Sequence, residues 1–226
     1  MKLERINTEL AVRYMGGSGR DITSLMPLIS ECEKLLLEAA APAYIFKHFA
    51  ITGTDEGISL DGTDLVLTGS SIEKHLEGCE SCILLCATLS SSVDRLIKTL
   101  SVSDIAASYV VDCMASASIE DICDAAEQEM KQKLPDKHFT WRFSPGYGDL
   151  PLSVQGKLLD VMNAGKRIGL SVTDSDMMIP SKSVTAVIGV SGRELNRQTR
   201  SCLDCNMYES CDYRKGGDRC GSQETS

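Results

Sequence analysis

The sequence predicts an α+β fold, because helical and extended patterns alternate irregularly along its 226 residues. A long apolar helical stripe, a continuous apolar run of strand length and two extended pieces around a proline all occur in one chain. Helices interleaved with strands of antiparallel type are typical of α+β proteins. With a hydrophobic content of 42%, the chain can form one large core, with or without an appendage.

The first half of the chain predicts one amphipathic helix, two strands, a short helix and a buried strand. Apolar residues recur every three or four positions from Leu25 to Leu36, and Pro42 ends this helical run. AYIFKHFAIT and TDLVLTG are predicted strands, separated by the turn-forming GTDEGISLDG. SSIEKHLEG is a brief helix with Ser70 or Ser71 as its N-cap. CILLCATL is apolar throughout, which predicts a central strand buried on both faces.

The longest helix is predicted from Ser103 to about Leu134. Its first half carries an apolar stripe formed by Ala106, Val110, Cys113 and Ala117. Beyond Ser118 the apolar residues move to the opposite side, which leaves Glu120 and Asp124 on the continuation of the stripe. A face that becomes exposed to solvent explains this position without any function. The alternative is a carboxylate that faces a pocket.

The stretch WRFSPGYGD follows the long helix and contains the groups best suited to a small ligand. Arg142 offers a fork of donors that matches a carboxylate. Tyr147 adds an amphipathic ring with a hydroxyl, and Gly146 and Gly148 let a ligand approach the backbone. Together these groups suit a zwitterionic molecule such as an amino-acid derivative. A strand-ending turn with a surface arginine has the same composition and is the alternative.

The last third of the chain predicts one more helix, two β-rich pieces and a separate tail. SVQGKLLDVMNAGKRIG is helical, and LSVTDSDMMIPSKSVTAVIGVSG holds extended pieces on either side of a proline bend. From Arg193 the composition becomes polar and rich in Cys and Gly. We therefore predict a domain over residues 1–192 and a Cys-rich tail over residues 193–226.

The tail cysteines Cys202, Cys205, Cys211 and Cys220 form a C-x2-C-x5-C-x8-C array. Four thiolates in such an array suit a tetrahedral zinc ion or an iron–sulfur cluster, and a cluster could also carry an electron. Unligated thiols in a flexible tail are the alternative. Cys79 and Cys82 also form C-x2-C, but their strand context favours core packing.

Charge and hydropathy exclude several classes of function. The net charge of −9 argues against nucleic acid and against an anionic membrane surface as partners. The chain has no apolar run near the ~20 residues of a spanning helix, and MKLERINTEL lacks the apolar core of a signal peptide. The protein is therefore predicted to be cytoplasmic, with its ten cysteines reduced or metal-bound.

RFSPGYGD and the following PLSVQGKLLDVMNAGKRIGLSVTDSDMMIPSKSVTAVIGVS resemble the activation domain of cobalamin-dependent methionine synthase. That family has Arg-x-x-x-Gly-Tyr at its binding turn, then a helix, a strand that begins Ile-Gly and a bend around a proline. The matching residues are Arg142, Gly146, Tyr147, Ile168, Gly169, Thr173, Met178, Pro180, Ser183 and Val184. The match is strong to about Ser191 and extends weakly back through the long helix.

The resemblance implies a C-shaped α+β domain, with a twisted antiparallel sheet and flanking helices, that binds S-adenosylmethionine. It implies that Arg142 meets the carboxylate of this cofactor and that the backbone at Ser144 and Gly146 contacts it. Tyr147 would lie beside the reactive end of the cofactor. Glu120 would assist from the long helix, which favours the pocket-facing alternative for this carboxylate.

The implied function is that of a stand-alone reactivation subunit, which supports reductive methylation of cob(II)alamin on a separate methyltransferase. Its partners would be a cobalamin-binding methyltransferase, methionine synthase above all, and a low-potential electron donor. Asp136-x-His138 begins like the cobalamin-ligand motif Asp-x-His-x-x-Gly, but Trp141 replaces the glycine. We therefore assign His138 to a strand edge, and the corrinoid has to arrive on another chain.

Two other functions remain open at this point. The aspartate-containing N-terminal cofactor segment of the family has no clear counterpart here, which favours a non-catalytic module that docks corrinoid proteins. The cysteine array favours a redox carrier that acts through the tail.

Overall fold

The structure is a computed structural model that describes residues 2–17, 21–195 and Glu209. The strands are β1 (Ala43–Thr54), β2 (Gly57–Leu60), β3 (Val66–Leu67), β4 (Ser81–Thr88), β5 (His138–Phe139), β6 (Ser171–Val172), β7 (Met178–Ile179) and β8 (Ser183–Ser191). The helices are α1 (Thr8–Tyr14), α2 (Met26–Ala39), α3 (Ser70–His75), α4 (Ser91–Ser103), α5 (Ile105–Lys133), α6 (Val154–Met162) and α7 (Ala164–Ile168). A short 3-10 helix, Thr23–Leu25, precedes α2.

Six of the strands form one antiparallel sheet in the order β3-β2-β1-β4-β8-β5, and β6 and β7 form a separate hairpin. Every pairing in the large sheet is antiparallel. β5 is an edge strand, so His138 lies at a strand edge as predicted. The α+β fold class, with an antiparallel sheet and flanking helices, is confirmed.

The central strand β4 separates two hydrophobic cores, and all eight of its residues are buried, as the sequence predicts. Ile83 and Leu85 face the core that lies against α1, α2, α4 and α5. Cys82, Leu84 and Cys86 face the second core, together with α6 and α7. The alternation of side chains along a strand produces this division, and it places helices on both faces of the sheet.

The structure corrects several details of the predicted strands and helices. The GTDEGISLDG segment contains strand β2 as well as a turn. Ser70 and Ser71 do not act as N-caps, since α3 begins at Ser70 and Gly69 precedes it without a capping side chain. The helix predicted after the WRFSPGYGD turn is two helices, because Asn163 adopts a left-handed conformation with φ of 52° between α6 and α7.

The long helix is confirmed as α5, which Asp104 caps by accepting a hydrogen bond from the Ala107 amide at 3.0 Å. Its stripe from Val110 to Ala117 is buried, whereas Ala106 is exposed because Ala107 and Ser108 face the core in the first turn. In the described part of the chain, no helix is both long and apolar enough to cross a membrane.

Candidate functional site

The candidate site lies where the chain leaves the edge strand β5. Phe143 continues the edge by pairing with Val187 of β8 through backbone hydrogen bonds of 2.9 and 2.7 Å. Trp141 and Phe143 pack with the α6 and α7 core. Since successive side chains alternate, Arg142 points to the other face of the sheet, where α5 lies. The extended backbone therefore fixes the direction of the arginine.

Arg142 is buried against α5, and three carboxylates of that helix bind its guanidinium. Nη2 donates to Glu120 Oε2 at 2.8 Å, while Nη1 donates to Asp124 Oδ1 and Glu127 Oε1 at 2.8 Å each. The arginine side chain is 9% exposed, against 37% for Glu120, 48% for Asp124 and 27% for Glu127. The cation is thus inside the protein and its partners form an acidic rim open to solvent.

Helical spacing explains why one arginine meets three acids. Glu120, Asp124 and Glu127 follow one another at intervals of four and three residues, so they share one face of α5. The pKa of Glu127 is raised above its ordinary value, because the effect of burial exceeds the opposing effect of the nearby Arg142 charge. Three carboxylates around one guanidinium leave the cluster with a surplus of negative charge.

The turn after Arg142 is closed by its own backbone. The Tyr147 amide donates to the Ser144 carbonyl at 3.0 Å, and the Gly146 amide donates to the Leu150 carbonyl at 2.9 Å. Gly146 has φ of 89°, which favours glycine at this position. Its exposed backbone lies at the tip of the turn, where a ligand can approach closely.

Asp149 ties this turn to α3. Its carboxylate accepts hydrogen bonds from the Ser70 and Ser71 amides at 2.8 Å each and from the Ser70 hydroxyl at 2.8 Å. These bonds from Ser71 and Ser70 hold the pKa of Asp149 well below its usual range. The helix that lacks a local cap is therefore capped by a residue 79 positions away in the chain.

An aromatic cluster lies on the opposite face of the sheet from Arg142. Trp141, the single tryptophan, packs its ring 4.8 Å from His75 and 5.2 Å from Phe143. Tyr147 joins it, with ring centroids 6.1 Å from Trp141 and 6.0 Å from Phe143. The cluster stiffens the base of the turn and leaves part of the Tyr147 ring exposed.

The structure brings Glu120 to Arg142, whereas the ring contacts of Tyr147 are with Trp141 and Phe143. A ligand that touched both Arg142 and Tyr147 would have to run along the turn backbone at Ser144 and Gly146. Sequence reasoning missed two groups of the site. Glu127 repeats the spacing of Glu120 and Asp124 and could have been found. Asp149 could not, because its partners are distant in sequence.

The cysteine predictions divide between the core and the tail. Cys82 is buried in the core, as predicted, and burial raises its pKa to about 12. Cys79 is only half-buried and borders a surface cavity, so the prediction of core packing is wrong for this residue. Among the described residues no cluster of metal-ligating side chains is found. Cys202, Cys205, Cys211 and Cys220 lie outside the described residues, so the tail site stays a prediction.

Two cavities of the described chain lie away from the Arg142 turn. One cavity of about 380 Å³ lies between α3 and the β1–β2 hairpin. Another of about 340 Å³ lies between α6 and the turn after β2. The candidate site is instead defined by its charges and its backbone, at an open edge of the sheet.

Comparison with known proteins finds the same fold among solved structures. No family model matches the chain, and no curated protein matches it. Among solved structures, the chain is similar to the MetH reactivation domain bound to AdoHcy, with a TM-score of 0.59 and 11% sequence identity. The similarity covers 87% of this chain and 74% of the other. The chain therefore has the fold of the MetH reactivation domain.

Proposed function

We propose that this protein is a stand-alone reactivation subunit, which binds S-adenosylmethionine and supports reductive methylation of cob(II)alamin on a separate corrinoid methyltransferase. The observation that supports it most is the position of the Arg-x-x-x-Gly-Tyr turn. In a fold shared with a domain bound to AdoHcy, that turn places Arg142 against the acidic face of α5.

The charges of the site fit an S-adenosyl ligand. S-adenosylmethionine carries one carboxylate, one ammonium and one sulfonium group. Arg142 matches the carboxylate as a bidentate donor. Glu120 and Asp124 are the more exposed of the three acids, and they match the ammonium group. The surplus negative charge of the cluster favours the net positive charge of the ligand.

The turn supplies the remaining contacts. The backbone at Ser144 and Gly146 would line the ligand between its amino-acid end and Tyr147. The partly exposed Tyr147 ring is held by Trp141 and Phe143, so it offers a fixed apolar surface beside the reactive end. In this arrangement the residues bind and orient, and no side chain of the protein acts as a nucleophile.

When bound, S-adenosylmethionine supplies the methyl group and an external donor supplies one electron. Cob(II)alamin on the partner protein then becomes methylcobalamin, and S-adenosylhomocysteine remains. The electron donor is a low-potential reductant, because cob(II)alamin has to be reduced before it can accept the methyl group.

Calorimetry with the purified full chain tests the ligand site. Arg142→Ala should weaken S-adenosylmethionine binding by about 1.5–3 kcal/mol, the usual contribution of a hydrogen bond to a charged group. Arg95→Ala is the matched control, since Arg95 is an exposed arginine on α4 that donates to the Ser91 hydroxyl at 3.0 Å. Absence of binding to the wild-type chain, also with a corrinoid partner present, would contradict the ligand site.

The visible spectrum of a corrinoid methyltransferase tests the reaction. With S-adenosylmethionine and a low-potential reductant, the cob(II)alamin band should decay in the presence of the wild-type chain and persist with Arg142→Ala. Equal persistence of the band with both chains, across several corrinoid partners, would refute the reactivation role.

A non-catalytic docking module is the second candidate function, and the ion pairs that Arg142 already makes favour it. Three carboxylates already take up three of the five N–H donors of this guanidinium, and its side chain is only 9% exposed, so a ligand carboxylate has little access to it. A docking module would bind a corrinoid protein without S-adenosylmethionine and without any effect of Arg142→Ala on the spectrum. The redox-carrier alternative depends on tail cysteines that lie outside the described residues.

A further inference from the structure

A groove on the outer side of α3 takes no part in the proposed function. This α3 groove is the cavity of about 380 Å³ between α3 and the β1–β2 hairpin. Its apolar floor and charged rim are formed by Ile51, Ile58 and Leu76 and by Glu73, Lys74 and Glu77. Leu76 is buried, whereas Ile51 and Ile58 are only half-buried and leave apolar surface in the groove.

The chain leaves the described fold at the end of this groove. After β8 ends at Ser191, the chain runs to Leu195, whose side chain lies against Gly78. A Cβ atom on Gly78 would be 3.5 Å from Cδ2 of Leu195. Because Gly78 lies between two residues that line the groove, Glu77 and Cys79, the next part of the tail starts beside it.

The composition of that next part complements the groove. Residues 196–201 read NRQTRS, with two arginines and no acid, and residues 202–208 read CLDCNMY, which adds Leu203, Met207 and Tyr208 and one acid, Asp204. The rim has two carboxylates and one ammonium group, so it is net negative. The floor is apolar. Arginines followed by apolar side chains therefore match an acidic rim above an apolar floor.

We propose that residues 196–208 of the same chain bind in the α3 groove. Arg197 and Arg200 would meet Glu73 and Glu77, and the apolar residues would cover the floor. Leu195 lies against Gly78, the residue after Glu77, and the five residues beyond Leu195 span up to ~17 Å in extended form. This docking does not depend on the proposed function.

If the tail docked in this way, α3 would lie between the tail and the turn that follows Arg142. On its other side, His75 of α3 packs against Trp141 and Phe143 at the base of the binding turn. The tail would hold α3 from outside while Asp149 caps it from the turn.

Hydrogen exchange of the full-length chain tests the docking. Arg197→Glu with Arg200→Glu should increase amide exchange in α3 and β2 at least fivefold. Arg214→Glu with Lys215→Glu makes the same change of charge further along the tail and should leave these amides unaffected. Combining Arg197→Glu and Arg200→Glu with Glu73→Arg and Glu77→Arg should restore slow exchange, because the charges are exchanged across the contact.

Three results would overturn the proposal. The first is unchanged exchange in the Arg197→Glu, Arg200→Glu chain. The second is amide protection that depends on protein concentration, together with a dimer in sedimentation that the Glu73→Arg variant no longer forms. This result would show that a second copy of the chain occupies the groove. The third is a small molecule that co-purifies with both chains and is released on unfolding, which would make the groove a ligand site.

Discussion

Replacement of Arg142 by methionine tests the central contact of the site. Methionine keeps an unbranched apolar stem of similar length but removes the charge, so the three carboxylates of α5 lose their common partner. We expect the variant to fold, because a domain of this size has about 5–15 kcal/mol of stability. It should nevertheless be clearly less stable than the wild-type chain.

The exposure of each acid sets how much stability the Arg142→Met variant loses. Glu120 and Asp124, with side chains 37% and 48% exposed, can regain water. Loss of each such pair costs about 0.2–1 kcal/mol. Glu127 is 27% exposed and remains partly desolvated. Its lost bond to a charged group costs about 1.5–3 kcal/mol. The free energy of unfolding should fall by about 2–5 kcal/mol in total.

Urea denaturation at pH 7 measures this loss, with Arg95→Met as the control. Arg95 is exposed on α4, so its replacement should change stability by no more than about 0.5 kcal/mol. Glu127→Gln in the Arg142→Met background should recover most of the loss, since an amide does not have to be ionised. A loss below about 1 kcal/mol, or no recovery in the double variant, would refute this account of the cluster.

The burial of Glu127 also predicts how the stability of the single variant Glu127→Gln depends on pH. Burial raises the folded-state pKa of Glu127 above its ordinary value of 4.5. The folded protein then holds the proton more tightly than the unfolded chain, so ionisation lowers stability as the pH rises above about 4.5. Glutamine cannot ionise. The stability of Glu127→Gln relative to wild type should therefore increase from pH 4 to pH 7.

Three further predictions concern the turn and the tail. Gly148→Ala should destabilise by about 2–3 kcal/mol, because the new Cβ would lie 2.3 Å from Ser71 Oγ at a φ of 52°. Gly62→Ala, with a similar φ and open space, should cost only about 1 kcal/mol, and equal costs would exclude the clash. Because the folded-state pKa of Asp149 is depressed, the wild-type chain should lose stability as the pH falls below 3.8, the ordinary pKa of an aspartate. Asp149→Asn should make this loss smaller. An unchanged dependence of the melting temperature on acid pH would contradict the capping role of Asp149. Anaerobically prepared protein should hold near-stoichiometric zinc or iron that Cys205→Ser releases, whereas freely titrating tail thiols would show that no metal is bound.

The sequence was most informative where the local pattern and the tertiary burial agree. β4 is apolar at every position and is buried at every position, so its place at the centre of the sheet could be predicted. α5 has the regular spacing of a long helix and a capping aspartate. The helical spacing of Val93, Leu96, Ile97 and Leu100 likewise indicates helix α4.

Other features depend on residues that are distant in sequence. α1 is seven residues long with one buried residue, Ala11, so its own pattern is too weak to predict it. The N-cap of α3 comes from Asp149, and no local rule could supply it. Arg142 was singled out for a ligand carboxylate from its chemistry alone. Its burial by three acids follows from the fold, because only the sheet edge aims it at α5.

The charge balance of the Arg142 cluster leads to a last prediction about ligand choice. The acids outnumber the guanidinium by two, and the two most exposed acids face solvent. A ligand whose only charge is negative would add to this surplus, whereas S-adenosylmethionine brings a sulfonium that offsets part of it. S-adenosylhomocysteine lacks that cation. The full chain should therefore bind S-adenosylmethionine more tightly than S-adenosylhomocysteine, and the preference should shrink as salt screens the acidic rim. Calorimetry of both ligands at low and high salt measures this. Equal affinities at low salt would show that the acids serve Arg142 alone and take no part in recognising the ligand.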